Sequence, residues 1–595
     1  KTVSKVSKTS FKWTPEALIQ SWHGKLSETY DVLSIIGEGR SGAVFVVQHK
    51  RNGKSYACKF LKKSDHDAKV LKTEIQTLRR LDHPNIVRLY ETHEDGDSLF
   101  LLMELCSGGD LLDNISEAGN ISEATARVFA QQMLSALAYC HACGVAHRDV
   151  KPENFLLETE GSDCLVVKLA DFGIATSIRP EHLSSTSRST STARNTLDDA
   201  AFGSLPYMAP ETFTAKWRRL DADSPANMVQ LCAADLWSCG VCLYAMMGGR
   251  LPFGESPERI CSGEPPDFSG PLWDNVSEEA IDLIQKLVNP NVRERWTAQQ
   301  ALAHEWLHTS PRGQSSPDGL RTPDGLAENI REFALVVLRS MRHWRHMPKL
   351  RRIAIAAMAK RLEAQHDAQR VAESAYALFS GTSDTLRCEQ LVQVLNGALC
   401  ESTSPMQVRE PSMGARFSLP SATAPTPASL SSASPASQDA GRLQGGSITG
   451  LHVRQRVRKA LRRLTATSPR SDFDLNTGTS GNATTIEELR HLVAALDGMK
   501  NGTVDYTLFV ASMLSPDVSF SDQQISEVFS LFDTKKRGYI SPGDLQAAVR
   551  SGDADLRHYT AMITEFDHNG DGVLDEAEFC AMVHGTIPGD AEGAS

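Results

Sequence analysis

Twelve residues near the C-terminus, "DHNGDGVLDEAE" (Asp567 to Glu578), set oxygen donors at the spacing that a bound calcium ion requires. In such a loop positions 1, 3, 5, 9 and 12 supply side-chain oxygen or a water bridge, position 7 supplies a main-chain carbonyl, and position 6 is glycine for the turn. Asp567, Asn569, Asp571, Val573, Asp575 and Glu578 fill the ligand places, Gly572 makes the turn, and Leu574 takes the apolar position that bridges to a partner loop. A second stretch, "IGEGRSGAV" (Ile36 to Val44), spaces Gly37, Gly39 and Gly42 between two strand-like runs. Glycines let the backbone approach a phosphate closely, so that main-chain N–H groups act as anion donors. One chain therefore carries chemistry for a divalent cation and chemistry for a phosphate ester.

The phosphate loop is followed in order by "YACK" (Lys59), by Glu74 in a helical run, and by "HRDVKPEN" (147–154), "DFG" (171–173) and "APE" (209–211). That series resembles the protein kinases, and the resemblance covers residues 30–307 without a gap. It implies ATP and Mg2+ as cofactors and assigns roles by position. Gly37, Glu38, Gly39 and Gly42 cover the phosphates, and Lys59, held by Glu74, contacts the α- and β-phosphates. Asp149 orients the substrate hydroxyl and accepts its proton, Lys151 steadies the γ-phosphate, and Asn154 and Asp171 bind magnesium. Ile36, Val44, Ala57 and Leu156 sandwich adenine, Met103 guards the pocket, Glu104 to Cys106 form the hinge, and Glu211 pairs with Arg295. A lysine two residues after Asp149 looks like a serine/threonine rather than a tyrosine kinase. Glu153 and Asp110 stand where related kinases pair with substrate arginine, so protein substrates with basic residues near Ser or Thr are expected. Lys59, Asp149 and Asn154 are all present, which argues against a pseudokinase. The insert "SSTSRSTSTARNT" before Glu211 is either filler or a phosphorylation target. Arg148 wants an anion from this segment, from Asp198 or Asp199 in the favoured reading or from phosphate on Thr196.

Three further loops repeat the cation outline with defects, and the loop starts Asp497, Asp533 and Asp567 mark a period. Loop 533–544 puts Lys535 and Arg537 among the ligands and ends on Asp544, a methylene shorter than Glu. Cations at contact distance repel a divalent ion. Loop 497–508 keeps Asp497, Asn501, Gly502 and Asp505 but has Met499 and Leu508 in two ligand places. The earliest, "FSGTSDTLRCEQL" (379–391), is one residue short and lacks the turn glycine, so it is expected to persist only as a packed helix pair. Four EF-hand-like units behind a kinase, joined by a basic helix, resemble the calcium-dependent protein kinases of plants and protists. That resemblance implies Ca2+ as a cofactor and the junction helix as an intramolecular partner, which occupies the kinase at rest and is seized by the EF-hand lobes when calcium binds.

These sites need elements to hold them. Short β-rich runs precede about Ile121 and longer helical runs follow, the order of a two-lobed kinase domain. In 326–362 Ile330, Phe333, Ala334, Val337, Leu338, Met341 and Trp344 share one helical face among arginines, and Pro348 is expected to break the run. The expected fold class is α+β: a bilobal kinase domain followed by an all-α, calmodulin-like EF-hand domain with a disordered insert. The expected units are an N-terminal extension (1–29), the kinase domain (30–307), a linker (308–325), the basic autoinhibitory junction (326–362) and a degenerate first hand (363–400). After them come a Ser/Pro/Ala-rich insert (401–450), a basic helix (451–470), degenerate second and third hands (484–515 and 520–552) and the calcium-binding hand (554–587).

The formal net charge is −11, and no run of about 18 uncharged apolar residues would span a membrane. Twelve scattered cysteines suggest reduced thiols in a cytoplasmic or nuclear protein, and the pairs Cys140/Cys143 and Cys239/Cys242 read as small buried residues rather than metal or redox motifs. A monomer without a nucleic-acid partner is expected, and the basic helices could meet anionic membrane. The alternatives are a calcium-insensitive kinase with structural hands and a non-enzymatic, calcium-responsive scaffold.

Overall fold

Alternating apolar residues in the first third of the chain build a six-stranded sheet. Its strands are β1 (Gln20–His23), β2 (Tyr30–Gly39), β3 (Gly42–His49), β4 (Ser55–Lys62), β5 (Leu89–Asp95) and β6 (Ser98–Met103), in the order β1-β5-β6-β4-β3-β2. All neighbours are antiparallel except β1, which runs parallel to β5. The computed structural model describes residues 15–39, 42–65, 68–118, 120–159, 166–177, 204–215, 217, 220, 224–308, 323–361, 367–380, 385–400, 486–498, 500–514, 520–549 and 555–586. The activation-segment insert with Thr196, Asp198 and Asp199, the 401–450 insert, the 451–470 helix, Met499 and the side chains of Ile330 and Phe333 lie outside them.

The helix Ala68–Arg80 packs on this sheet with Leu71 and Leu78 buried. The helical lobe is built on Glu123–Ala142, capped by Ser122, whose hydroxyl accepts from Thr125 N at 3.2 Å, and on Pro225–Gly248. The latter starts with proline in its first turn and ends at Gly249, whose φ of 61° allows the left-handed cap. By length and composition it could cross a membrane, but 83% of its most apolar window is buried, and Asp235 interrupts the apolar run. It is the core helix of its lobe, and its Cys239 and Cys242, with Cys140 of the helix Glu123–Ala142, are fully buried free thiols.

The junction is two helices, Pro323–His346 and Lys349–Arg361, separated at Pro348 as expected. Ala334, Val337, Leu338, Met341 and Trp344 are buried, while Arg339, Arg342 and Arg345 face solvent. Their apolar face joins the core of the EF-hand helices. Lys349–Arg361 is buried almost all round, because its alanines let the surrounding helices approach. The first hand does survive as a helix pair, Asp367–Ser380 and Cys388–Cys400. It docks across the long insert on the second hand, with Val504 N donating to Leu386 O at 2.8 Å and Cys388 N to Gly502 O at 2.9 Å.

Ahead of the expected kinase unit, which starts at residue 30, the chain already takes part in the fold. Residues 15–23 supply a turn, Pro15–Leu18, and the strand β1, and they stitch two cores together: Leu18 is buried with the EF-hand helices and its neighbour Ile19 with the kinase. Polar anchors continue the seam. The Asp82 carboxylate accepts from Thr507 N at 2.8 Å and Thr507 Oγ1 at 2.7 Å, and Arg88 Nη2 donates to the Tyr506 hydroxyl at 3.1 Å. Tyr56 donates to Glu527 at 2.9 Å, and Arg361 lies 3.3 Å from Glu527 and 3.9 Å from Glu91. Each hydrogen bond to a buried charged group contributes about 1.5–3 kcal/mol. Asp82→Ala is therefore expected to loosen the seam, so that amides of the helix Tyr506–Leu514 exchange with solvent about 10-fold faster or more. Unchanged exchange would show that Asp82 is not an anchor.

Candidate active site and calcium loops

The nucleotide side of the site follows from sheet register. β3 sets Val44 opposite Lys59, and β6 sets Met103 opposite Ala57, so the residues expected around adenine are strand neighbours. Ile36 is 53% exposed at the open edge of β2, and Leu156 pairs with Lys168 across the short strands Phe155–Leu157 and Val167–Leu169. Gly42 has no substitute: its φ is +108°, and a Cβ there would lie 2.2 Å from Phe60 O. Gly37 has open space around it, and Gly39 pairs with Gly42 across the turn.

Lys59 Nζ lies 2.7 Å from Glu74 Oε1 and 2.8 Å from Asp171 Oδ1, all deep in the cleft. Burial alone would lower the Lys59 ammonium, but Glu74 and Asp171 hold it above its ordinary value. The same contact keeps the Asp171 carboxyl below its ordinary range against the effect of burial. Phe172 packs edge-on against His147 at 4.7 Å, which keeps Asp171 turned toward Lys59. Glu104 is committed by its carboxylate to Lys168 at 3.1 Å, so its contribution to a nucleotide is through the main chain. Cys106 is partly buried beside it, and burial pushes its thiol well up.

The catalytic loop converges on Asp149. Its carboxylate accepts from Lys151 Nζ at 3.0 Å, Asn154 Nδ2 at 3.2 Å and Ser204 N at 3.2 Å. Asn154 also donates from Nδ2 to Asp149 O at 2.7 Å, which leaves its amide oxygen as an acceptor. That oxygen and the Asp171 carboxylate are hard donors, the chemistry that magnesium takes. Lys151 Nζ is also 3.0 Å from Ser204 Oγ.

Asp235 was not among the expected site residues, yet it shapes the loop. From the core helix, its buried carboxylate accepts from His147 N at 2.8 Å, Arg148 N at 2.7 Å and His141 Nε2 at 2.9 Å. It holds Arg148 at a φ of 69°, a conformation that a non-glycine residue adopts at a cost. The only signal in the sequence is a lone carboxylate in an apolar helix. Burial pulls the Arg148 guanidinium down to about 10, with Asp235 opposing, and its Nη1 donates to Thr176 Oγ1 at 3.0 Å and Ile174 O at 3.2 Å. The expected pair Glu211–Arg295 is bidentate, at 2.6 and 2.9 Å. Among the described residues, Glu153 Oε2 is buried without a hydrogen-bond partner, and burial raises its carboxyl. Asp110 spends one oxygen capping the next helix through Asp113 N at 2.9 Å.

In loop 567–578 the turn wraps its own ligands. Asp567 accepts from Gly570 N at 2.7 Å and Gly572 N at 2.8 Å, Asn569 from Asp571 N at 2.8 Å, and Asp571 from Val573 N at 3.0 Å. Glu578 is buried and accepts from His568 N at 2.9 Å and Asp575 N at 3.1 Å, while Asp575 caps the helix that follows by accepting from Glu578 N at 2.8 Å. Five oxygen-bearing side chains and the Val573 carbonyl are a donor set that fits calcium. Leu574 pairs with Ile540 across a two-residue ribbon, both fully buried, so loops 533–544 and 567–578 are one paired unit.

The partner loop carries a cation of its own. Arg537 Nη2 is ion-paired with Asp544 at the last ligand position, and Asp544 also accepts from Thr534 Oγ1 at 2.9 Å. Asp533 accepts from Gly538 N at 2.7 Å and Arg537 N at 3.0 Å. A guanidinium thus neutralises the carboxylate that a calcium ion would otherwise use. In loop 497–508 Asp497 accepts from Gly502 N at 2.9 Å, but Leu508 is buried in the core where a bidentate ligand would stand.

Two outcomes follow. Gly42→Ala is expected to raise KM for ATP about 10-fold or more, since 1–3 kcal/mol of strain falls on the loop over the phosphates; steady-state kinetics check this. Arg537→Ala leaves Asp544 buried without its charge partner and is expected to destabilise the paired hands by about 1–3 kcal/mol. The measure is thermal unfolding of the full chain with calcium absent.

A protein-family model for the protein kinase domain matches residues 30–307, and EF-hand domain pair models match 485–546 and 522–584. Calcium-dependent protein kinase 25 of Arabidopsis thaliana is 31% identical over 386 residues, which cover 63% of this chain and 66% of the relative. Calcium-dependent protein kinase 33 of the same plant is 24% identical over 583 residues, covering 96% and 88%. Calcium-dependent protein kinase 4 of Plasmodium berghei (strain Anka) is 24% identical over 592 residues, covering 98% and 91%. With an intact Lys59–Glu74–Asp171 cluster ahead of paired cation loops, the chain belongs to the calcium-dependent protein kinase family.

Proposed function

We propose that the protein transfers the γ-phosphoryl group of ATP to serine or threonine in basic protein substrates, under control of calcium bound in loop 567–578. The observation that supports the reading is the Lys59–Glu74–Asp171 cluster, together with the Lys151 ammonium 3.0 Å from the Asp149 carboxylate. Asp149 accepts the proton of the substrate hydroxyl as its oxygen attacks the γ-phosphorus and the bond to the departing ADP oxygen breaks. Lys59 orients the α- and β-phosphates, and Lys151, 3.0 Å from Asp149, follows the charge of the transferring group. Magnesium, when held by Asn154 and Asp171, supplies charge neutralisation on the phosphates. Glu153, with its unpartnered buried oxygen, pairs with an arginine of the substrate.

Control lies in where the junction goes. Its helices pack on the EF-hand helices and the Pro15–Leu18 turn, the seized arrangement that the family resemblance describes. At rest the same apolar and basic helix would instead occupy the kinase. Loops 497–508 and 533–544 have lost ligands, so one ion drives the change and the response is graded.

The test is phosphate transfer to an arginine-containing peptide with and without calcium. Asp149→Asn is expected to abolish it, which excludes the non-enzymatic scaffold; surviving activity would show that Asp149 is not the base. Glu578→Ala is expected to remove calcium stimulation, with a Hill coefficient near one in the parent chain; stimulation that survives, or a steep response, counts against one-ion control. Glu153→Gln is expected to raise KM for the basic peptide by about 10-fold while kcat holds, the loss of one charge-assisted hydrogen bond.

A further inference from the structure

The C-terminal pair of hands carries a second set of metal-ligating groups outside both loops. Asp522 opens the helix Asp522–Phe532, and Cys580 and His584 stand four residues apart on the helix Glu576–His584. Residues so spaced share one face of a helix. The ligand atoms of all three lie within 4.8 Å of one another, with Cys580 half-buried and the other two exposed. We propose that Asp522, Cys580 and His584 form a site for a zinc-class transition-metal ion that staples these two helices together.

The chemistry of the three groups selects the ion. Thiolate, imidazole and carboxylate are together a zinc donor set, with bonds of about 2.0–2.3 Å, and a water completes the tetrahedron. In that geometry neighbouring donors stand about 3.5 Å apart, so rotation of exposed side chains closes the present spacing. Calcium and magnesium, which take oxygen, are disfavoured by the sulfur and nitrogen, so the site does not compete for the ion of loop 567–578. Among the described residues, no hydrogen bond or ion pair engages the three side chains, and none must be broken for a metal to bind.

The frame beneath the site is set. Phe579 packs against Phe529 at 5.6 Å and Phe532 at 6.0 Å, which fixes one helix on the other. The site is also wired to the regulatory parts. Cys580 lies two residues past the calcium ligand Glu578, and just beyond His584 the Arg351 guanidinium of the junction packs onto Gly585 and donates to Val583 O at 3.2 Å. A staple between the entering helix of the third hand and the exiting helix of the fourth therefore holds the lobe that grips the junction.

The experiment uses the full chain with calcium saturating and cobalt(II) as a spectroscopic stand-in for zinc. One equivalent of cobalt is expected to give a thiolate-to-metal charge-transfer band that zinc removes. Cys580→Ser is expected to abolish the band. His584→Ala and Asp522→Asn are each expected to weaken cobalt binding by at least about 10-fold, the loss that removing even an outer-shell partner produces. Glu578→Gln is expected to lose calcium and keep the band. No band, a band that survives Cys580→Ser, affinity unmoved by both other substitutions, or a band lost with Glu578→Gln would each overturn the proposal.

Discussion

The arrangement of this protein depends on burying one short helix, Lys349–Arg361, on nearly every side. Its alanines and isoleucines cannot be left in water, so EF-hand helices close around it, and its last two residues then meet the kinase. Burying Arg361 without partners would be prohibitive, and Glu527 and Glu91 answer it from the two sides of the seam. Burial alone would raise Glu91, yet a hydrogen bond from His93 and the charge of Arg361 hold its carboxyl down to about 2. One guanidinium therefore reports to the regulatory and catalytic halves at once.

On the catalytic side the same logic of compensated burial recurs. Lys59 is charged because Glu74 and Asp171 are there, and Asp171 is held in place because Phe172 is packed under His147. Asp235 performs the equivalent task from the opposite lobe, fixing the main chain at His147 and Arg148 so that Asp149 faces Asn154, Lys151 and Ser204. The loop that carries Asp149 is strained at Arg148, and the helix that carries Asp235 holds it there.

The cation loops show two ways for a paired hand to lose ligands and keep its fold. In loop 533–544 an arginine replaces the ion's charge, and in loop 497–508 a leucine replaces a ligand and enters the core. In both, contact with a neighbouring loop remains, as a two-residue ribbon that pairs Ile540 with Leu574 and as a single bridge between Arg387 and Thr503. Between loops 533–544 and 567–578 that contact buries both apolar bridge residues, Ile540 and Leu574, so the pair keeps its fold when one loop loses ligands.

Much of the site was legible from residue order alone. The kinase series, the bidentate Glu211–Arg295 pair, the break at Pro348 and the full set of loop 567–578 each follow from local spacing, where a few residues must hold fixed positions on a short stretch of backbone. The helical face of the junction was equally plain, since 3.6-residue periodicity marks the buried side. Its destination was not, because an amphipathic helix fits any apolar groove. Residue order by itself marked the groups expected to transfer phosphate and to hold calcium. The tertiary structure alone decided that Leu18 and Ile19 join two cores, that Asp235 anchors the catalytic loop, that Arg537 neutralises Asp544, and that Asp82 meets Thr507 across 425 residues. Those contacts depend on which charges end up buried together, and burial is a property of the packed chain rather than of any segment within it.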